Sequence, residues 1–173
     1  VMLGGIIVNV ITGVIIFICL TYVFGDTYIS KDVVNEKGGI TAYELAENIG
    51  LKTGDKIIKI NGADFDDFQD IFEGRVFLAD DAYYTIDRDG EVIDIPIPGN
   101  FIENLNDEEA MANFIFPRFE SKIGTIAENS LADRIGLQEG DWVVEISGTP
   151  VKYQDQVKEK LKGYDKDSIL LKV

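Results

Sequence analysis

The chain has 173 residues, with 31 Asp and Glu against 16 Lys and Arg, no histidine, and a formal net charge of −15. That charge repels phosphate backbones and sets nucleic-acid binding aside, while the lack of histidine excludes a His-based triad, an H-E-x-x-H zinc site and a histidine general base. Beyond an apolar head, the length leaves room for two small modules of ordinary core size and none for a large catalytic domain.

From Val1 to Phe24 no residue is charged, and a helix of that length, rising about 1.5 Å per residue, crosses about 30 Å of hydrocarbon. Residues 1–25 are therefore expected to be a transmembrane helix seated in a lipid bilayer. A secretory signal peptide would need a basic leader and a shorter apolar core, and a helix apolar on every face has no natural place beside self-contained modules. Its polar exceptions, Asn9, Thr12 and Thr21, suit helix-to-helix hydrogen bonding, and Gly4, Gly5 and Gly13 permit close backbone approach. Cys19, the single cysteine, lies in this span, so no intrachain disulfide is possible. Asp26 and the acids beyond it fit a non-cytoplasmic location for the rest of the chain.

The following region carries an internal repeat. Residues 41–62 (TAYELAENIGLKTGDKIIKING) and 127–148 (AENSLADRIGLQEGDWVVEISG) match at nine of 22 positions without a gap, at an offset of 86. A repeat of this length predicts two copies of one module. The same offset carries Gly38 and Ile40 onto Gly124 and Ile126, and Asp81 onto Asp167. In each copy a helical turn (Leu45, Ala46, Ile49; Leu131, Ala132, Ile135) leads to a Gly-Asp turn at Gly54-Asp55 and Gly140-Asp141, where glycine permits positive φ and aspartate bonds nearby amides. A β-branched strand follows, through Ile57, Ile58 and Ile60 or Val143, Val144 and Ile146, closed by Asn61-Gly62 or Ser147-Gly148. An amphipathic helix comes next, with Phe68, Ile71 and Phe72 or Tyr153, Val157 and Leu161 at helical spacing. Only the first copy continues into a hairpin, Tyr83–Asp87 and Glu91–Ile97 around Arg88-Asp89-Gly90. Val173 stands where the first copy has Asp87, and Val1 replaces an initiator methionine, so the chain reads as a piece of a larger protein. The expected division is 1–25 membrane helix, 26–98 first module, 99–112 acidic linker with a capping box at Asn106 and Glu109, and 113–173 second module lacking its last strand.

The A-x-x-x-G-L-x-x-G-D-x-(I/V)-x-x-I-x-G arrangement, from Ala46 to Gly62 and from Ala132 to Gly148, resembles the bacterial type of PDZ domain. The fold class implied is mainly β with α, two partly closed β modules after a membrane helix. Two such modules following an apolar span resemble the extracytoplasmic insert of the RseP-type, site-2 family of intramembrane zinc metalloproteases. Gly5-Ile6-Ile7-Val8-Asn9 is similar to that family's G-P-x-x-N motif, with Ile6 in place of the proline. The resemblance implies zinc in the parent protein, ligated outside this chain, and a bacterial inner-membrane location with the PDZ region on the periplasmic side.

Acidic clusters receive local readings. Asp64, Asp66, Asp67, Asp70 and Glu73 do not fit a calcium loop, since Gln69 and Arg75 stand where glycine and the twelfth-position carboxylate are required; acids at a helix start complement its dipole. Asp165 and Asp167 flank a turn. No metal site and no catalytic residue are assigned. Ser121-Lys122 reads as a solvated pair, because neighbours on a strand point to opposite faces.

Binding is what remains. A PDZ module captures an extended peptide as an added strand between an edge strand and a helix. The expected groove strands are Tyr28-Ile29-Ser30 and Phe114-Ile115-Phe116, facing Phe68 and Phe72 in the first copy and Tyr153 and Val157 in the second, with Lys31 and Arg118 nearest to a ligand carboxylate. The second groove is favoured, Val157 being smaller than Phe72. The partners implied are peptide or membrane-protein substrate segments, gated before proteolysis within the membrane. The alternatives are a membrane-tethered PDZ adaptor without a protease, and a trypsin-like chaperone protease with two PDZ domains.

Overall fold

A computed structural model describes residues 2–25, 28–105, 110–111, 113–162 and 168–173. The expected capping box at Asn106 and Glu109, the turn acids Asp165 and Asp167, and Asp26 lie outside the described residues. The architecture is mixed α/β, with antiparallel sheets behind an N-terminal helix.

Helix α1 runs Met2–Phe24, and its Gly4–Phe24 stretch is long and apolar enough to cross a membrane. From Gly4 to Phe24 its side chains touch no core of the protein. The chain then enters a first unit. Helix α2 (Lys31–Glu36) is followed by strand β1 (Ile40–Ala42), helix α3 (Glu44–Ile49) and strand β2 (Lys56–Ile60). A one-turn 3-10 helix (Phe68–Phe72) and helix α4 (Gly74–Phe77) take the place of the expected amphipathic helix. Asp67 caps the 3-10 turn by accepting from the Gln69 N–H, so the neighbouring acids gather at a helix start. Strands β3 (Tyr83–Arg88) and β4 (Glu91–Pro96) form the expected hairpin, with Asp89 and Gly90 both at positive φ. Sheet order is β2-β3-β4.

A second 3-10 turn (Phe101–Leu105) leads to strand β5 (Ile115–Pro117). Strand β5 pairs antiparallel with β1, Ile40 opposite Pro117 and Ala42 opposite Ile115. The segment expected to open the second unit thus completes the first. The cause is burial: Phe114 is fully enclosed, with ring centroids 5.1 Å from Phe101, 6.1 Å from Phe72 and 6.4 Å from Phe77. Such aromatic pairs contribute about 0.5–1.5 kcal/mol each beyond area burial.

The second unit is smaller. Helix α5 (Leu131–Arg134), strands β6 (Glu145–Ile146) and β7 (Thr149–Pro150), helix α6 (Gln154–Lys162) and strand β8 (Leu171–Lys172) surround Val143, Ile146 and Val151, in sheet order β7-β6-β8. Local bonds recur at the offset of 86. The Lys52 N–H donates to Asp55 Oδ2 at 2.7 Å and the Gln138 N–H to Asp141 Oδ2 at 2.8 Å; Leu51 and Leu137 donate to the carbonyls of Ala46 and Ala132. Upstream the phase slips by three residues. Ile40 exchanges bonds with Gly54 and Asp55, and its counterpart before Gly140 and Asp141 is Ile123, not the expected Ile126.

Candidate functional site

Strand β5 has one edge engaged and one turned away from β1. The Phe114 carbonyl accepts from the Tyr43 N–H, and the Arg118 N–H donates to the Gly39 carbonyl, each at 2.9 Å. Antiparallel alternation therefore turns the N–H and C=O of Ile115 and the C=O of Pro117 to the opposite edge. Proline has no N–H to offer, and it sits where β1 asks for none.

Along that edge runs an apolar groove of about 320 Å³. Ile115, Phe116, Pro117 and Phe119 form one wall, Phe68, Gln69 and Phe72 of the 3-10 turn form the other, and Ile29 and Met111 complete it. Gln69 is the one polar residue of that lining. The 3-10 turn is held in place from behind: the Phe68 N–H donates to the Ile29 carbonyl at 2.8 Å, and the buried Tyr84 hydroxyl donates to the Ile71 carbonyl at 2.9 Å. Burial pushes the Tyr84 phenol far above its ordinary range, so the hydroxyl stays a donor.

Five of the ten predicted contact residues meet in this groove, drawn from both expected sets: Ile29, Phe68, Phe72, Ile115 and Phe116. The other five lie elsewhere. Tyr28 is exposed and absent from the lining, and Tyr28-Ile29-Ser30 is not a groove strand, since Ser30 pairs with Asp67 and so pins the exit from α1 to the 3-10 turn. Phe114 lies beneath the groove in the first core. Val157 packs on the second core instead of facing Phe114-Ile115-Phe116.

Arg118 and Tyr153 form a joint between the units. The Arg118 guanidinium donates to both Asp155 oxygens, at 3.0 and 2.9 Å, and stacks on the Tyr153 ring at 3.7 Å from its centroid. Tyr153 in turn lies over Gly38, where a Cβ would come 2.5 Å from the phenolic oxygen. Arg118 is thereby engaged and does not face the groove. Lys31 is engaged too: it pairs with Asp64, lies over the Phe65 ring, and holds the Asp64 carboxyl below the usual carboxylate range. Among the described residues no cation lines the groove, and its walls are apolar apart from Gln69.

Ser121 is buried, not solvated, its hydroxyl 2.7 Å from the Val143 carbonyl and 3.0 Å from that of Lys152. The sequence pattern missed Gln69 in the 3-10 turn, Pro117 at the end of β5, and Met111 and Phe119 on either side of that strand. Among the described residues, no three His, Cys, Asp or Glu side chains come together to hold a metal ion.

Residues 122–173 match the PDZ domain family. The chain is similar to a candidate zinc metalloprotease of Rickettsia conorii, with 31% identity over 143 residues that cover 80% of this chain and 37% of that protein. It is also similar to a candidate zinc metalloprotease of Vibrio cholerae, 24% identical over 150 residues, covering 79% of this chain and 32% of the relative. The chain spans about a third of the length of these curated relatives.

Proposed function

We propose that this chain is the peptide-binding, substrate-gating PDZ region, with its preceding membrane helix, of a zinc metalloprotease that cleaves within the bacterial inner membrane. The observation that carries the reading is the apolar groove along the outward edge of β5, a shape that accepts an extended chain as an added strand. The likeness to zinc metalloproteases supports the protease, and the apolar α1 supports the membrane setting. On this reading the first unit is a second PDZ module, as the hydrogen bonds recurring at Asp55 and Asp141 favour, and both modules lie on the extracytoplasmic side. The groove holds substrate segments and admits them to a zinc centre supplied by other parts of the protein. The donor set for zinc is not met by the described residues of this chain, so no catalytic step is assigned to them.

Phe116→Asp tests the groove. Phe116 is 44% exposed and its ring meets Tyr43 edge-to-face, so the change should cost about 1–2 kcal/mol of stability, while a charge in the apolar wall should abolish binding. Fluorescence polarisation with a labelled extended peptide carrying a Val-Phe pair reads the affinity, and thermal melting reads the fold. Unchanged affinity in a folded variant would reject the groove as the peptide site.

A further inference from the structure

Phe116, Pro117 and Phe119 border a second cleft of about 360 Å³ on their other side. Its far wall is Gln154, Asp155 and Lys158 of α6, so it lies between the two units and shares a rim with the groove. Its charge is set by one subtraction. Asp155 is neutralised by the bidentate contact from Arg118, whereas Lys158 is exposed and has no ion-pair partner among the described residues. Lys162 stands one turn further along α6, on the same face at the i, i+4 position. The cleft is therefore a basic spot on a chain whose net charge is −15.

We infer that the ligand site is composite: an extended peptide bound in the groove continues past Phe119 into the cleft, where Lys158 selects an acidic side chain. This rests on the groove being a peptide site. Direction follows from pairing. A strand added to β5 in the commoner antiparallel sense has its N-terminal part beside Pro117 and Phe119, since β5 runs from Ile115 toward those residues. At about 3.3 Å per residue, a side chain some three or four positions N-terminal to the apolar anchor reaches the cleft. The preference is thus for peptides that read acidic first and apolar after.

The test uses the whole chain in detergent micelles and three labelled peptides: a Val-Phe peptide with neutral flanks, the same peptide with Glu placed N-terminal to the pair, and the same with Glu placed C-terminal. Polarisation titration should show the N-terminal Glu tightening binding by about two- to fivefold, the range of a rim ion pair, with the gain fading in high salt. Lys158→Ala should remove that gain and Lys158→Glu should reverse it, both leaving the neutral peptide unaffected. Equal affinity for all three peptides, insensitivity to both Lys158 variants, or a preference for the C-terminal Glu would overturn the composite site while the groove reading stood. Failure of every peptide to bind would overturn the groove reading and the composite site with it.

Discussion

Asp55 is enclosed at 1% exposure, and Arg88 supplies its counter-charge through two bonds of 2.7 Å while a third guanidinium bond reaches the Gly50 carbonyl at 2.8 Å. The hydrogen bond to Asp55 raises the Arg88 pKa further above its already high value, so the guanidinium keeps its charge on the alkaline side of neutrality. Removing one partner strands the other out of water. Arg88→Ala is therefore expected to destabilise the first unit by about 3–5 kcal/mol, read by denaturant unfolding; a loss below about 1 kcal/mol would show that water replaces the guanidinium. The repeat makes a comparison available, because Asp141 keeps the local bond to Gln138 yet is only half-buried. The turn bond, three residues away, was legible in the Gly-Asp pattern of both copies. The arginine, 33 residues away, was not, since nothing in a local pattern tells which distant side chain a buried carboxylate will meet.

At the scale of elements, what the sequence disclosed followed the range of the interaction. The β3-β4 hairpin was readable from Arg88-Asp89-Gly90, and α1 from a long uncharged, mostly apolar run, because both are decided by neighbours along the chain. Strand β5 was readable as a strand but was assigned to the wrong unit. Phe114-Ile115-Phe116 has the same alternation whichever sheet it joins, and the choice rests on an aromatic cavity built by Phe72, Phe77, Tyr84 and Phe101. This assignment has an energetic consequence that separates the two units. Phe114→Ala should cost about 3–5 kcal/mol in the unfolding of the first unit and leave the second near its original midpoint, resolved by hydrogen exchange at the β3 and β6 amides. Val157→Trp should do the opposite, overpacking the second core by about 1–3 kcal/mol without weakening peptide binding in the groove. Loss of binding with an unchanged melt would return Val157 to a ligand site.

For the whole molecule, two cores meet at a contact in which Arg118, Asp155, Tyr153 and Gly38 come together. Contacts of modest area between units leave relative motion as the default, and here Arg118 opposes it by bonding Gly39 through its backbone, Asp155 through its guanidinium and Tyr153 through its face. Arg118 directly follows β5, so the groove wall and the joint are one stretch of chain. A ligand strand that shifts β5 must also move the joint. Arg118→Ala leaves the largely buried Asp155 carboxylate without its counter-charge, so it should loosen the contact between the units and broaden the distance distribution between spin labels placed on β4 and α6. Gly38→Val should broaden it in the same way: its Cβ would fall 2.5 Å from the Tyr153 hydroxyl, at a φ of 110° that valine resists. Asp155→Ala combined with Arg118→Ala should add little to either change alone, as expected for partners in one contact. If the distribution stays narrow in both the arginine and the glycine variants, the orientation of the units is set by the shared wall at Phe116 and Phe119, and the joint only follows it.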